Sequence, residues 1–132
     1  MKYVCLFALI CMSGIVCYAA DSEDGNSLLR NCRAAVRALD GEKLDLNEST
    51  KAGLCMGYIA GVADLDATWR SEDKEDKSKN FPLHICLPEG GEVRLGQCAR
   101  IVAKWLKDNL EKLHYRGDLV VLLALDQAFP CK

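Results

Sequence analysis

The sequence predicts an all-α fold: a small four-helix domain stapled by disulfides. Three observations support this class. Apolar residues recur at helical spacing in four segments, and the alternation typical of β-strands is absent throughout. The third observation is that five of the eight cysteines lie beyond a leader-like N-terminus. A chain of this length builds only a modest core, which disulfides commonly reinforce in exported proteins.

The N-terminus has the pattern of a secretory signal peptide. Lys2 gives a positive end, an apolar run of about a dozen residues follows, and small residues favour cleavage after Ala19. The run is shorter than the roughly 20 residues of a membrane span. We therefore assign residues 1–20 to the leader and residues 21–132 to a single helical domain, which is periplasmic or secreted and has no membrane contact after cleavage.

The charge balance gives no reason to expect nucleic acid as a partner. Once Lys2 leaves with the leader, 16 basic side chains stand against 19 acidic ones, for a net charge near −3. Proteins that bind nucleic acid usually carry the opposite balance.

The first helix is predicted over NSLLRNCRAAVRALDG, residues 26–41. Asn26 or Ser27 is the expected N-cap, and Gly41 is the expected stop. A connector follows, and Asn47 with its neighbours offers the next cap. The apolar stripe of the first helix is Leu28, Leu29, Cys32, Val36 and Leu39.

The second helix is predicted to run to about Trp69 and contains GLCMGYIAG, residues 53–61, with glycine at every fourth position. Each glycine costs a helix roughly 0.5–1 kcal/mol relative to alanine. Apolar or small residues occupy nearly all sides, so we expect a central, buried helix. We then expect Gly53, Gly57 and Gly61 to form a groove into which a neighbouring helix packs, in preference to a functional glycine motif.

The rest of the chain holds a charged segment and two further helices. Residues 70–80 contain four basic and four acidic side chains and nothing to bury, which predicts a solvated, mobile loop. Residues 81–93 are expected to be irregular because of their prolines and glycines. The third helix is predicted at about 94–109, and the fourth begins after Gly117 and ends at Pro130. Expected to face inward on the third helix are Leu95, Cys98, Val102, Trp105 and Leu106.

Cysteine spacing predicts two disulfides. The midpoint between Cys32 and Cys55 falls at the centre of the connector, and residues equidistant from the turn of a helical hairpin face each other. Cys86, in the irregular stretch, and Cys131, at the chain end, are then natural partners. Cys98 lies on an inward helix face and is expected to be a buried free thiol.

No constellation of residues indicates an enzyme, a metal site or a cofactor. His84 lies two residues from Cys86, but side chains at that spacing do not readily converge, and His114 is the only other histidine. No phosphate-binding loop, serine elbow or paired-carboxylate motif occurs. We therefore expect a binding protein.

Two features have a structural interpretation. Asp64 lies on the glycine side of the second helix, where an ion pair with Arg100 or Lys104 is favoured over a buried acid. Trp69 and Trp105 fall at core spacing, so both are expected to pack inside.

Several short motifs then stand in a characteristic order. They are CMGYIAG (55–61), CLPEG (86–90), Gly96-Gln97, KWL (104–106), LH (113–114) and ALDQAFPC (124–131). In this ordered set the chain resembles the Tai-type immunity proteins, which protect Gram-negative bacteria against amidase effectors of type VI secretion systems. The resemblance extends from about residue 28 to residue 131.

The resemblance implies a disulfide-containing helical protein of the periplasm, often a dimer, that binds a peptidoglycan amidase and blocks its active-site cleft. Cys32, Cys55, Cys86 and Cys131 match the usual cysteines of that family, whereas Cys98 stands where an aliphatic residue is usual. The expected partner is a protein, and a homodimer is a further candidate assembly. A periplasmic chaperone or stress protein and a host-directed secreted protein are the alternatives.

Residues 70–80 are the predicted partner contact, because loops on rigid scaffolds carry recognition. A spacer without a role is the equally weighted alternative, and the CLPEGG turn and the exposed face of the third helix come next. The residues expected to engage a basic rim around the amidase cleft are Glu72, Asp73, Glu75 and Asp76.

Overall fold

The computed structural model describes residues 23–75, 85–88 and 93–131. Within these ranges no strand longer than an isolated bridge between Asp24 and Arg116 occurs. The α-helices are α1 (Gly25–Leu39), α2 (Leu46–Glu75), α3 (Leu95–Asp108) and α4 (Gly117–Ala128), with a 3-10 turn at Leu110–Lys112. The predicted all-α fold of four helices is confirmed. The expected leader, residues 1–20, lies outside the described residues.

All four helices contribute to the core, and α4 packs mainly against α3. Burying one Leu, Ile or Val side chain stabilises a fold by about 1.5–3 kcal/mol, so this cluster is the main stabilising feature. Its fully buried members include Leu28, Cys32, Cys55, Ile59, Ile85, Val102, Leu106, Val120, Val121 and Leu125. On α3, four of the five residues predicted to face inward are buried, and Leu95 is 37% exposed.

Helix α1 begins before its predicted cap and ends where predicted. The Ser27 N–H donates to the Asp24 carboxylate at 2.8 Å, so Asp24 is the N-cap in place of Asn26 or Ser27. At the other end Gly41 has a φ of 86°, a left-handed conformation that glycine adopts without strain. The stop signal in the sequence is therefore confirmed, whereas the predicted cap lies two or three residues after the observed one.

Helix α2 is longer and more exposed than its sequence predicts. It continues to Glu75, so residues 70–75 are helical and the predicted loop is wrong there, while residues 76–80 lie outside the described part of the chain. Leu54 is 57% exposed and Leu65 is 47% exposed. Among the described residues, the other helices cover the side of α2 that carries Cys55 and Ile59, and the expectation of a central, fully buried helix is wrong.

The predicted helix-packing groove at Gly53, Gly57 and Gly61 is also wrong. All three glycines are exposed, and no heavy atom of the described residues lies within 4 Å of the position that a β-carbon would take at each. Their small size serves no contact between the helices described here.

Close backbone approaches occur at two other glycines, Gly25 at the start of α1 and Gly117 at the start of α4. A β-carbon on Gly25 would lie 2.8 Å from the Leu113 carbonyl oxygen, and one on Gly117 would lie 2.7 Å from the Glu23 carbonyl oxygen. The Gly25 N–H donates to the Tyr115 carbonyl oxygen at 2.9 Å. These contacts join the two helix starts.

Both predicted disulfides are present. Cys32 of α1 bonds to Cys55 of α2, with 5.0 Å between their Cα atoms, and Cys86 bonds to Cys131, with 5.1 Å between theirs. Cys98 is free and buried, as predicted. The first bridge closes the α1–α2 hairpin, and the second ties the segment before α3 to the end of the chain.

Candidate partner-binding surface

The end of α2 is held to the segment Ile85–Pro88 through the buried carboxylate of Asp66. This side chain is 1% exposed and accepts hydrogen bonds from the Ile85 N–H at 3.1 Å and from the Arg70 Nε at 3.0 Å. A buried carboxylate is costly without such partners, and with them it links two pieces of chain. Asp66 therefore positions the region in which the partner contact is predicted.

The buried, paired aspartate of α2 is Asp66, and the ion pair predicted for Asp64 is wrong. Asp64 is exposed, Arg100 pairs with Asp40 at 2.7 Å, and Lys104 pairs with Asp108, so the predicted ion pair between α2 and α3 does not form. Asp66 lies two helical turns after the buried Ile59 and one turn before Arg70. That spacing was the available signal for a buried, paired acid.

The segment Ile85–Pro88 has a second attachment at Cys86. The Cys86 N–H donates to the Phe129 carbonyl oxygen at 3.2 Å, and the disulfide to Cys131 fastens the same residue covalently. Leu87 is half-buried and Pro88 is exposed. The first part of the CLPEGG turn is thus anchored, and its remainder lies outside the described ranges.

Three of the four predicted contact residues belong to the last turns of α2. Glu72, Asp73 and Glu75 belong to the helix, and Asp76 lies outside the described residues. The backbone of these three residues is helical, unlike the loop that the composition predicted. Their role in binding stays a prediction.

The described residues offer little for catalysis. Burial raises the pKa of the Cys98 thiol, which disfavours the reactive thiolate. His84 lies outside the described ranges, and the exposed His114 stacks edge-on against Tyr115 at 4.7 Å. Across residues 23–75, 85–88 and 93–131, no group of three potential ligands could hold a metal ion, and none of the helices in these ranges is long and apolar enough to cross a membrane.

Comparison with known proteins identifies one family. Residues 24–131 match the family described as Rap1a immunity proteins, and this match covers all four helices and both disulfides. Searches of curated proteins and of solved structures give no match.

Proposed function

Because the chain belongs to the Rap1a family of immunity proteins, we propose that it neutralises a secreted effector by binding it, and that this effector is a peptidoglycan amidase of a type VI secretion system. The family match over residues 24–131 is the observation that carries the proposal. The ordered motifs shared with Tai-type immunity proteins favour an amidase over other effectors.

We place the protein in the periplasm, where a peptidoglycan amidase acts. The leader-like N-terminus supports export. The two disulfides support an oxidising compartment, since such bonds are rare in proteins of the cytosol.

Inhibition of this kind needs no chemistry from the inhibitor. A scaffold joined by two disulfides has little conformational entropy left to lose on binding, and this favours a tight complex. We propose that the α2 end and the anchored segment Ile85–Pro88 form the contact, with Glu72, Asp73, Glu75 and Asp76 facing basic residues of the amidase. A homodimer stays a prediction, which the molar mass in solution tests.

The test uses the mature chain, residues 21–132, and the amidase encoded beside its gene. We expect hydrolysis of purified peptidoglycan to fall to zero at one molar equivalent of the protein. In cells that receive the amidase in the periplasm, the full chain should restore growth, and a version without residues 1–20 should not. Full hydrolysis in the presence of excess protein would exclude the proposal and favour a chaperone or a host-directed protein.

A further inference from the structure

A groove between α1 and α3 carries a concentration of positive charge. It has a volume of about 780 Å³, and the half-buried side chains of Val36 and Ala103 contribute its apolar surface. The basic side chains along it are Arg33 and Arg37 of α1 and Arg100, Lys104 and Lys107 of α3. We name it the α1–α3 groove.

The charge of this groove runs against that of the whole protein. Five basic side chains and a single acidic one, Asp108, line it, although acidic residues outnumber basic ones in the domain. Such a local excess attracts negative groups even when the net charge of the molecule is negative.

Two of these cations are open to a ligand, and two others form single exposed ion pairs that a ligand can replace at little cost. Among the described residues, Arg33 and Lys107 form no ion pair. Arg37 keeps its own partners, because it binds both carboxylate oxygens of Glu42 and also binds Glu48. Arg100 and Lys104 each pair with one acidic residue, and their own side chains are 46% and 76% exposed. Exposed pairs of this kind stabilise a protein by about 0–1 kcal/mol, so incoming carboxylates can replace them.

We propose that the α1–α3 groove is a second docking surface, and that its occupant is an acidic, amphipathic helical segment of the effector. This inference rests on the proposed function, which supplies a protein partner. Guanidinium groups bind carboxylates through two parallel hydrogen bonds, and the apolar floor accepts the other face of an amphipathic helix. A free phosphate would use the cations but not the floor.

The spacing of the cations suits a helical occupant. Arg33 and Arg37 are one turn apart on α1, and Arg100 to Lys107 span two turns on α3. The longer row therefore extends about 10 Å, the length of two turns in the bound segment. We expect that segment to carry Glu or Asp on both sides of a short apolar stripe.

The test compares R33E/K107E with the matched control K43E/R94E. Each pair replaces one exposed Arg and one exposed Lys that form no ion pair among the described residues, and only the first pair lines the groove. We expect R33E/K107E to bind the amidase at least about tenfold more weakly, about 1.4 kcal/mol, with most of the loss in the association rate at low salt. The control variant should bind like the unmodified protein.

A synthetic probe examines the groove without the amidase. A labelled helical peptide of about 14 residues, or four turns, with Leu along one stripe and Glu elsewhere, should bind the unmodified protein and lose affinity for R33E/K107E. The same peptide with Lys in place of Glu should show the opposite preference. Two outcomes would overturn the inference: the Glu peptide binds R33E/K107E as tightly as it binds the unmodified protein, or inorganic phosphate displaces it completely.

The two proposals fail in different ways. If the unmodified protein does not bind the amidase, the proposed function is wrong. If it binds, and R33E/K107E binds equally well, the proposed function stands and the groove is not a docking surface. Matching circular dichroism spectra and melting temperatures for both variants ensure that folding does not decide the result.

Discussion

Asp24 stabilises the start of α1 through its charged form. The hydrogen bond from the Ser27 N–H holds the pKa of Asp24 below its ordinary value, because the ionised carboxylate is the better acceptor. A carboxyl group whose pKa is lower in the folded state contributes stability above its unfolded pKa. That contribution is lost as the pH falls through the folded pKa.

We therefore expect Asp24→Ala to lower the free energy of unfolding by about 1 kcal/mol at pH 7, and by clearly less once the pH lies below the folded pKa. Asp24→Asn keeps a capping side chain and should retain most of the stability at neutral pH. Urea unfolding as a function of pH measures both effects. A loss of unfolding free energy for Asp24→Ala that does not change with pH would show that the charge of the Asp24 carboxylate does not stabilise the start of α1.

Two classes of glycine should respond oppositely to a methyl group. Gly57→Ala is expected to raise the free energy of unfolding by about 0.5–1 kcal/mol, because the site is helical and open. Gly117→Ala should lower it, because the methyl group would meet the Glu23 carbonyl oxygen at 2.7 Å and backbone must move. Thermal unfolding distinguishes the two signs. A stability that falls for Gly57→Ala only at high protein concentration would place a second copy on this side of α2.

At the scale of elements, Asp66 joins the end of α2 to the segment before α3. Asp66→Ala leaves the buried Ile85 N–H without this acceptor and should lower the free energy of unfolding by about 1–3 kcal/mol. Asp66→Asn retains an acceptor oxygen and should cost less. Asp64→Asn is the matched control, since Asp64 is exposed two residues away, and urea unfolding should show no change for it. An equal loss of unfolding free energy for Asp66→Ala and Asp64→Asn would contradict the stabilising role of the Asp66 hydrogen bonds.

How well the bounds of a helix can be predicted from the sequence depends on which of its faces the neighbouring helices bury. Helices α1 and α3 each bury one face, so their apolar stripes locate them to within a few residues. Helix α2 continues into charged residues without apolar spacing, and only its continuity from the Asp66–Arg70 turn indicates the extension to Glu75. A single sequence does not state which side of an apolar helix its neighbours cover, and for this reason the glycines were assigned to the core.

The candidate partner-binding surface is less predictable from the sequence than the fold. Composition indicates the charged residues at the end of α2, but it does not indicate that Asp66 is buried and binds the segment before α3. The groove cations were also missed, because basic residues spaced three or four apart on α1 and α3 resemble an ordinary solvated helix face until the two helices are brought together.

At the scale of the whole molecule, the disulfides close loops of different length. Cys32 and Cys55 are 23 residues apart, and Cys86 and Cys131 are 45 apart. The chain-entropy relation then gives losses of about 3.4 and about 4.0 kcal/mol when each pair is replaced by alanine. Urea unfolding of the two double variants tests whether removal of the Cys86–Cys131 bridge costs more stability than removal of the Cys32–Cys55 bridge. A larger loss for the Cys32–Cys55 pair would show that native contacts, rather than loop closure, dominate its effect.

The order of the cysteines along the chain has a consequence for oxidative folding in the oxidising compartment that we propose for this protein. A chain that enters an oxidising compartment from its N-terminus presents Cys32 and Cys55 first, and these are correct partners. Cys86 and Cys98 emerge next, whereas the native partner of Cys86 is Cys131, which follows both of them. Pairing in order of arrival therefore produces one native and one wrong bridge, and the native form then requires thiol–disulfide exchange. Cys98→Ala removes the competing thiol, and we expect its oxidative folding to become independent of a disulfide isomerase.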